Sequence, residues 1–233
     1  MGIKLGIDIG TTNTVVSTFR NGKPEALKHF YDFFGEKKDA IIPSVQLYMD
    51  SEKFFGTEAV REFERIYQHE KEKLGGISLH YEYKMEMDKQ GSQAIELTRS
   101  MVDFILDTIT KNEKVAIDGI VVTVPHEWEP GTRGRFHTEL AIRSNIHKIP
   151  LLQIVSEPIA AAAYYAFVRK SHKQETALVC DLGGGTQDYT LCRISPNNSF
   201  TRRRRLKMFL FVTRTCNFPI PKFWKLLVKL LIK

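Results

Sequence analysis

No Asp or Glu follows Asp188, although the chain runs on to Lys233. That absence governs how the net charge of +7 is read. Residues 1–188 hold 23 of the 34 basic residues and all 27 acidic ones, a net −4, and the other 11 basic residues lie from Tyr189 onward. A basic body built to bind nucleic acid is therefore excluded, and the positive charge belongs to a tail. Cysteine is scarce too. Cys180, Cys192 and Cys216 are odd in number and widely spaced, which fits no zinc or disulfide framework and suggests a reducing compartment. No apolar run approaches the ~20 residues that span a bilayer, and the start of the chain has no signal-peptide apolar core. A cytoplasmic, soluble body is the expectation. The histidines, His126 and His137 among them, show no ligand spacing and are expected to do no chemistry.

What is present is an ordinary globular composition, 42% hydrophobic and 26% charged over 233 residues, enough for one large domain or two small ones. Strands are expected at 3–8, 14–19, 44–49, 119–124, 151–155, 177–181 and 189–194. Helical spacing of Ala59, Val60, Phe63, Ile66 and Tyr67 predicts a helix over 57–74. A second helix is predicted over 92–111, a third near 131–145, and a fourth opening at Pro158, where proline suits the first helical turn. Strands followed by alternating helices and strands give an α/β class.

The stretch GIDIGTTNT, residues 6–14, ends a strand on Asp8 and turns at once through glycine and two threonines. These are ordinary hairpin-turn residues. They also suit a metal-bound phosphate, because exposed backbone N–H groups stand beside a carboxylate. A second version follows at CDLGGGTQD, residues 180–188, with Asp181 in the place of Asp8. Two such turns could face each other across a cleft and hold one phosphate chain.

IDIGTTNT, IIPSV, FGTEAV, VVTVP and SEPIAAA, with CDLGGGTQD, resemble the ATPase domain of the seventy-kilodalton heat-shock chaperones of the DnaK type. The resemblance covers about residues 3–194. It implies an actin-like ATPase (ribonuclease H-like) first lobe over 1–175, only the first hairpin of the second lobe over 176–195, and a basic, apolar tail over 196–233. It further implies ATP or ADP with Mg²⁺ and a K⁺ ion. Gly10, Thr11, Thr12 and Asn13 match the first phosphate loop, and Gly183, Gly184, Gly185 and Thr186 the second. Asp8 and Asp181 match carboxylates that hold Mg²⁺ through its waters, and Asp188 one associated with K⁺. Glu157 matches a glutamate near the metal and attacking water, and Lys71 the catalytic lysine, so that Lys71, Glu157, Asp181 and Thr186 form the implied catalytic set. Pro125 and Arg133 match a pair that relays nucleotide state between lobes. The chemistry suits the residues, since phosphoryl transfer to water needs positioning and charge neutralisation rather than covalent participation.

The resemblance stops near Ile194. With most of the second lobe absent from this sequence, nucleotide binding is expected to be weak and turnover slow. The strands at 177–181 and 189–194 are expected to leave exposed edges. The tail spaces Lys222, Lys225, Lys229 and Lys233 as in a helix, with Phe, Trp, Leu, Val and Ile between. Residues 202–233 could thus touch an anionic membrane or nucleic acid, or be unselected sequence after a lost reading frame. The implied protein is a monomer that works on unfolded clients with co-chaperones. A non-catalytic interaction module anchored by its tail is the alternative. A sugar or metabolite kinase of the same superfamily comes last, since no kinase motif is visible.

Overall fold

Helical and alternating stretches follow each other as the residue pattern requires. The computed structural model describes residues 2–31, 38–50, 52–89, 92–170, 173–183, 187–196 and 206–212. It opens with strands β1 (Ile3–Ile9), β2 (Asn13–Arg20), β3 (Lys23–Ala26), β4 (Phe30–Tyr31), β5 (Lys38–Asp39), β6 (Ile41–Pro43), β7 (Gln46–Met49) and β8 (Glu52–Phe55). Helix α1 (Gly56–His69), strand β9 (Ile77–His80), helix α2 (Ala94–Asn112), strand β10 (Ile117–Val124), helix α3 (Pro130–Ile146) and strand β11 (Leu151–Ser156) follow. Helix α4 (Glu157–Arg169) leads to β12 (Glu175–Leu182), β13 (Gln187–Pro196) and β14 (Leu206–Val212). Among the described residues no helix is long and apolar enough to cross a membrane.

The chain divides into two compact units, Met1–Ala160 and Ala161–Lys233, with the division inside α4. In the first, a mixed sheet runs β11-β10-β1-β2-β3, with β6 also on β2. Strands β1, β10 and β11 are parallel and β2 is antiparallel to β1. Leu5, Ile7 and Ile9 alternate along β1 and are buried, as the two-residue period of a strand demands. They join one core with Met101, Val102, Ile105, Leu106 and Ile109 of α2 and Phe136 and Leu140 of α3. Each such side chain contributes about 1.5–3 kcal/mol by leaving water, so the parallel strands sit on a rigid layer.

One ionic cluster pins this layer at its far end. Glu113, just beyond α2, accepts from Arg20 Nη2 at 2.5 Å and pairs with His29 Nε2 at 2.7 Å. Burial works against its charge, but the bonds from His29 and Arg20 outweigh that and hold the carboxyl below its ordinary 4.5. A depressed carboxylate stabilises the fold above its unfolded pKa, and that stability fades as pH falls through the folded value. Glu113→Gln is therefore expected to cost about 1.5 kcal/mol at neutral pH. Urea titrations of the two proteins should converge as pH drops below about 4.

Two expectations are corrected. The helix predicted over 57–74 ends at His69, because Glu70 leaves helical backbone (φ −138°), and a 3₁₀ turn, Lys71–Gly76, follows. The edge expected to be open at 189–194 is paired: β14 runs antiparallel to β13, so β13 is the centre of a sheet ordered β12-β13-β14. Among the described residues the second unit thus has three strands and a helix against one face, the minimum for a sheet to hold itself together. The helix expected at 222–233 and the arginine run 202–205 lie outside the described residues.

Candidate nucleotide site

The carboxyl ends of β1, β10 and β11 lie side by side, since Asp8 is in register with Thr123 and Thr123 with Val155. In open α/β sheets, ligands bind beyond these ends. Three of the expected residues arrive there directly. Asp8 is the last outward-facing residue of β1 and is exposed. Pro125 directly follows β10, and Glu157 starts α4 one residue after Ser156 closes β11.

The turn from β1 to β2 is held from behind by a buried serine. Gly10 N–H donates to the Asn13 carbonyl at 3.0 Å, and Ser44 N–H donates to the Thr12 carbonyl at 2.8 Å. The Ser44 hydroxyl, 1% exposed, donates to the Gly10 carbonyl at 2.8 Å and lies 2.9 Å from Thr14 Oγ1. With those carbonyls occupied from the inside, Thr11 and Thr12 form the outer edge, half-buried and exposed respectively. A Cβ on Gly10 would stand 2.3 Å from the Asn13 carbonyl oxygen, so only glycine allows the turn to close. Asn13 itself opens β2 with an exposed side chain.

Thr123 Oγ1 donates to Asp8 Oδ1 at 2.7 Å and fixes that carboxylate. Lys84 Nζ donates to Glu157 Oε1 at 2.6 Å, with the two side chains 9% and 15% exposed. Lys84 is carried by a 3₁₀ turn, Tyr83–Glu86, which packs on α2. Thr132 of α3 ties the chain just beyond it through Asp88, at 2.6 Å. Met85, the next residue, brings its sulfur to 4.0 Å from Thr11 Oγ1. The turn therefore links the Gly-Thr-Thr corner to Glu157.

Lys71 stands on a different element, the 3₁₀ turn Lys71–Gly76. It is exposed in the turn after α1, and its ammonium lies 5.5 Å from the centroid of the Tyr67 ring. Lys84 is the lysine that reaches Glu157, and residue spacing alone did not find it. Its signal was the alternation of Tyr83, Met85 and Met87 around a single lysine, with Tyr83 and Met87 buried, unlike the solvated EKEK run. Ser44, Thr123 and Thr132 were also missed, because each acts through a tertiary contact.

Pro125 and Arg133 are brought together. Arg133 Nη2 donates to the carbonyls of Pro125 at 2.9 Å and His126 at 2.5 Å, and Nε to that of Trp128 at 3.2 Å. Arg133 thus clamps the exit of β10. Burial, and then the Arg133 charge, lowers the His126 pKa, so this ring is neutral near pH 7. Its Nδ1 lies 3.4 Å from Ser156 Oγ.

In the second unit, Asp181 near the end of β12 and Asp188 near the start of β13 are register partners. Asp181 and Gly183 are exposed and Asp188 is half-buried. Like charges placed opposite each other across a ladder destabilise it, and a cation beside them would relieve the repulsion. Gly184, Gly185 and Thr186 lie outside the described residues.

The donor set, carboxylates with hydroxyls and backbone N–H groups rather than a dense cage, fits Mg²⁺ that keeps most of its waters. Among the described residues no cluster of three or more His, Cys, Asp or Glu forms a ready-made cage. Parallel strands ending in Asp8, a Gly-Thr-Thr corner and a glutamate at a helix start define an actin-like ATPase lobe. Residues 4–199 match the family model described as Hsp70 protein, and the chain belongs to that family. It is 27% identical over 215 residues to the chaperone protein DnaK of Thermus thermophilus, covering 83% of this chain and 33% of that protein. To the chaperone protein HscA of Proteus mirabilis it is 32% identical over 211 residues, 82% of this chain and 32% of the relative. To the chloroplastic heat shock 70 kDa protein 7 of Arabidopsis thaliana it is 27% identical over 216 residues, 82% and 28% respectively. The chain spans about a third of the length of these relatives.

Proposed function

We propose that the first unit binds the phosphate chain of a Mg²⁺-nucleotide, ATP or ADP, at the carboxyl ends of its parallel strands. The observation that supports this best is the Gly10–Asn13 corner, closed from behind by Ser44 and flanked by Asp8 and the Lys84–Glu157 pair. The family resemblance assigns Asp8 in the first unit and Asp181 in the second to hydrated Mg²⁺, and Asp188 to K⁺. It assigns Gly10, Thr11, Thr12 and Asn13, and separately Gly183, Gly184, Gly185 and Thr186, to phosphate binding. Mg²⁺ supplies charge neutralisation at the phosphates. Glu157 orients the attacking water, and Lys84, in the role first expected of Lys71, fixes Glu157 and adds positive charge. Pro125 and Arg133 pass the state of the site to the rest of the protein.

Membership of the Hsp70 family favours this over the kinase reading. In the longer relatives named as chaperones, the remaining two thirds lie outside the stretch this chain matches. ATP-driven work on unfolded clients with co-chaperones, in the cytoplasm, is the activity we assign to a protein in which this lobe is joined to such parts. For residues 1–233 alone, affinity comes from phosphate and metal contacts, so binding is weak, at about 0.1–1 mM, and hydrolysis is slow.

A thermal-shift comparison of Mg²⁺-ATP, Mg²⁺-pyrophosphate and adenosine tests this. At about ten times Kd a ligand stabilises by about 1.4 kcal/mol, which moves Tm by roughly 3–6 °C for a chain of this size. Pyrophosphate is expected to give most of the ATP shift and adenosine none. A shift with adenosine but not pyrophosphate would remove the phosphate-centred reading.

A further inference from the structure

The sheet of the second unit ends on β12. Its order is β12-β13-β14, so no described strand lies on the outer edge of β12. That strand, ETALVCDL, is eight residues long, holds no proline, and has Glu175 and Asp181 as its only charges. Globular proteins ordinarily keep edge strands short, charged, kinked or covered, because an open edge recruits another strand. Helix α4 leaves apolar surface beside this edge. Ala162 and Ala166 turn inward onto Ala177 and Val179 of β12 and Cys192 and Ile194 of β13. At about 100° per residue, Tyr165 then lies on one flank of the helix and Phe167 on the other. They are 39% and 45% exposed.

We propose that this edge is a dimerisation surface, on which β12 pairs antiparallel with β12 of a second copy. The two three-stranded sheets then join into one about a two-fold axis. An axis perpendicular to the sheet lets one residue face itself, and the charges select which. Centred on Val179, residues 176–182 pair throughout: Thr176 with the partner's Leu182, Ala177 with the partner's Asp181, and Leu178 with the partner's Cys180. No like charges meet. Centred on Leu178, Glu175 would face the partner's Asp181, and like charges opposed across a ladder destabilise it. Centred on Cys180, only residues 178–182 of the strand would pair. The helices meet as well. With strands ~4.8 Å apart, α4 over the β12–β13 pair comes to lie about 10 Å from its equivalent, the spacing of packed helices. Whichever flank faces the axis, an exposed aromatic side chain is covered. Val179, only partly buried beside α4, meets itself on the axis. A second copy therefore satisfies the strand edge and the helix flank together, whereas an extended peptide would cover the edge and leave α4 exposed. The pairing replaces the monomer that the family resemblance implies, and it does not depend on nucleotide binding.

Sedimentation equilibrium of the full, unaltered chain is expected to show a dimer at micromolar concentrations. Cross-linking reads the register. With Cys180 and Cys216 replaced by Ser, Thr176→Cys protein mixed with Leu182→Cys protein should form a disulfide-linked pair under mild oxidation. Both positions are exposed, so neither change threatens the fold. Either variant alone should cross-link far less, because two copies of residue 176, or of residue 182, stand about 20 Å apart in this register, well beyond disulfide reach. Leu178→Lys, at a position 41% exposed, should weaken the dimer at least about tenfold and leave far-UV circular dichroism unchanged. A chain that stays monomeric throughout the micromolar range overturns the proposal, and so do open-ended polymers. It is equally overturned if the mixture gives no cross-link, if either variant alone cross-links as well as the mixture, or if Leu178→Lys dimerises like the parent.

Discussion

Lys84→Ala is expected to lower the stability of the first unit by about 3–5 kcal/mol, the loss found when a buried ion pair is stripped of one member. Lys84 and Glu157 are 9% and 15% exposed and meet at 2.6 Å, so the substitution leaves a carboxylate in a poorly solvated place without its lysine. The double change Lys84→Met with Glu157→Leu should recover most of the loss, since two apolar side chains of similar volume carry no desolvation cost. Lys71→Ala, at an exposed position over Tyr67, should stay within about 0.5 kcal/mol of the parent. Urea unfolding followed by Trp128 reads this unit, because that indole packs edge-on against Phe136 at 5.3 Å between centroids. The same lysine is expected to matter for chemistry, with turnover falling about 10²–10³-fold in Lys84→Ala and unchanged in Lys71→Ala. A loss of stability below about 1 kcal/mol would show that the pair is open to water.

The second large effect is expected at Gly10. An added Cβ would meet the Asn13 carbonyl oxygen at 2.3 Å, and that oxygen already accepts from Gly10 N–H. Gly10→Ala must therefore open the corner, which breaks this bond and moves the Thr11 and Thr12 N–H groups away from the phosphate position. Overpacking of this kind costs about 1–3 kcal/mol of stability. Mg²⁺-ATP affinity is expected to fall at least about tenfold, or 1.4 kcal/mol. Gly75→Ala, in open space with nothing near the added Cβ, is the control and should bind as the parent does. Equal affinity in Gly10→Ala would mean that the corner does not touch the ligand.

The strands and long helices were legible because their signals are local. The apolar spacing of Leu97, Met101, Ile105 and Ile109 is enough to place α2, and the alternation of Leu5, Ile7 and Ile9 places β1. Glu70 was harder, since the helical pattern of α1 runs up to it and only the bonds to Arg65 and Lys73 mark the break. The corner at Gly10–Asn13 and the placement of Glu157 could be read from the sequence, because a turn and a helix start have short-range rules. Lys84 could not, since its role comes from a contact with a residue 73 positions away. β14 was hidden for a different reason. The arginine run before it and the lysines after it drew attention to charge, while LKMFLFV is a plain apolar strand whose partner, β13, defines it.

The central claim is that Asp8 and the Gly-Thr-Thr corner hold a Mg²⁺-bound phosphate chain. Calorimetric titration of the full chain with ATP, with and without Mg²⁺, and again in Asp8→Ala, tests it most directly. Binding at about 0.1–1 mM that requires Mg²⁺ and is lost in Asp8→Ala is the predicted result. No heat at millimolar ATP, or binding that ignores both Mg²⁺ and Asp8, would contradict it.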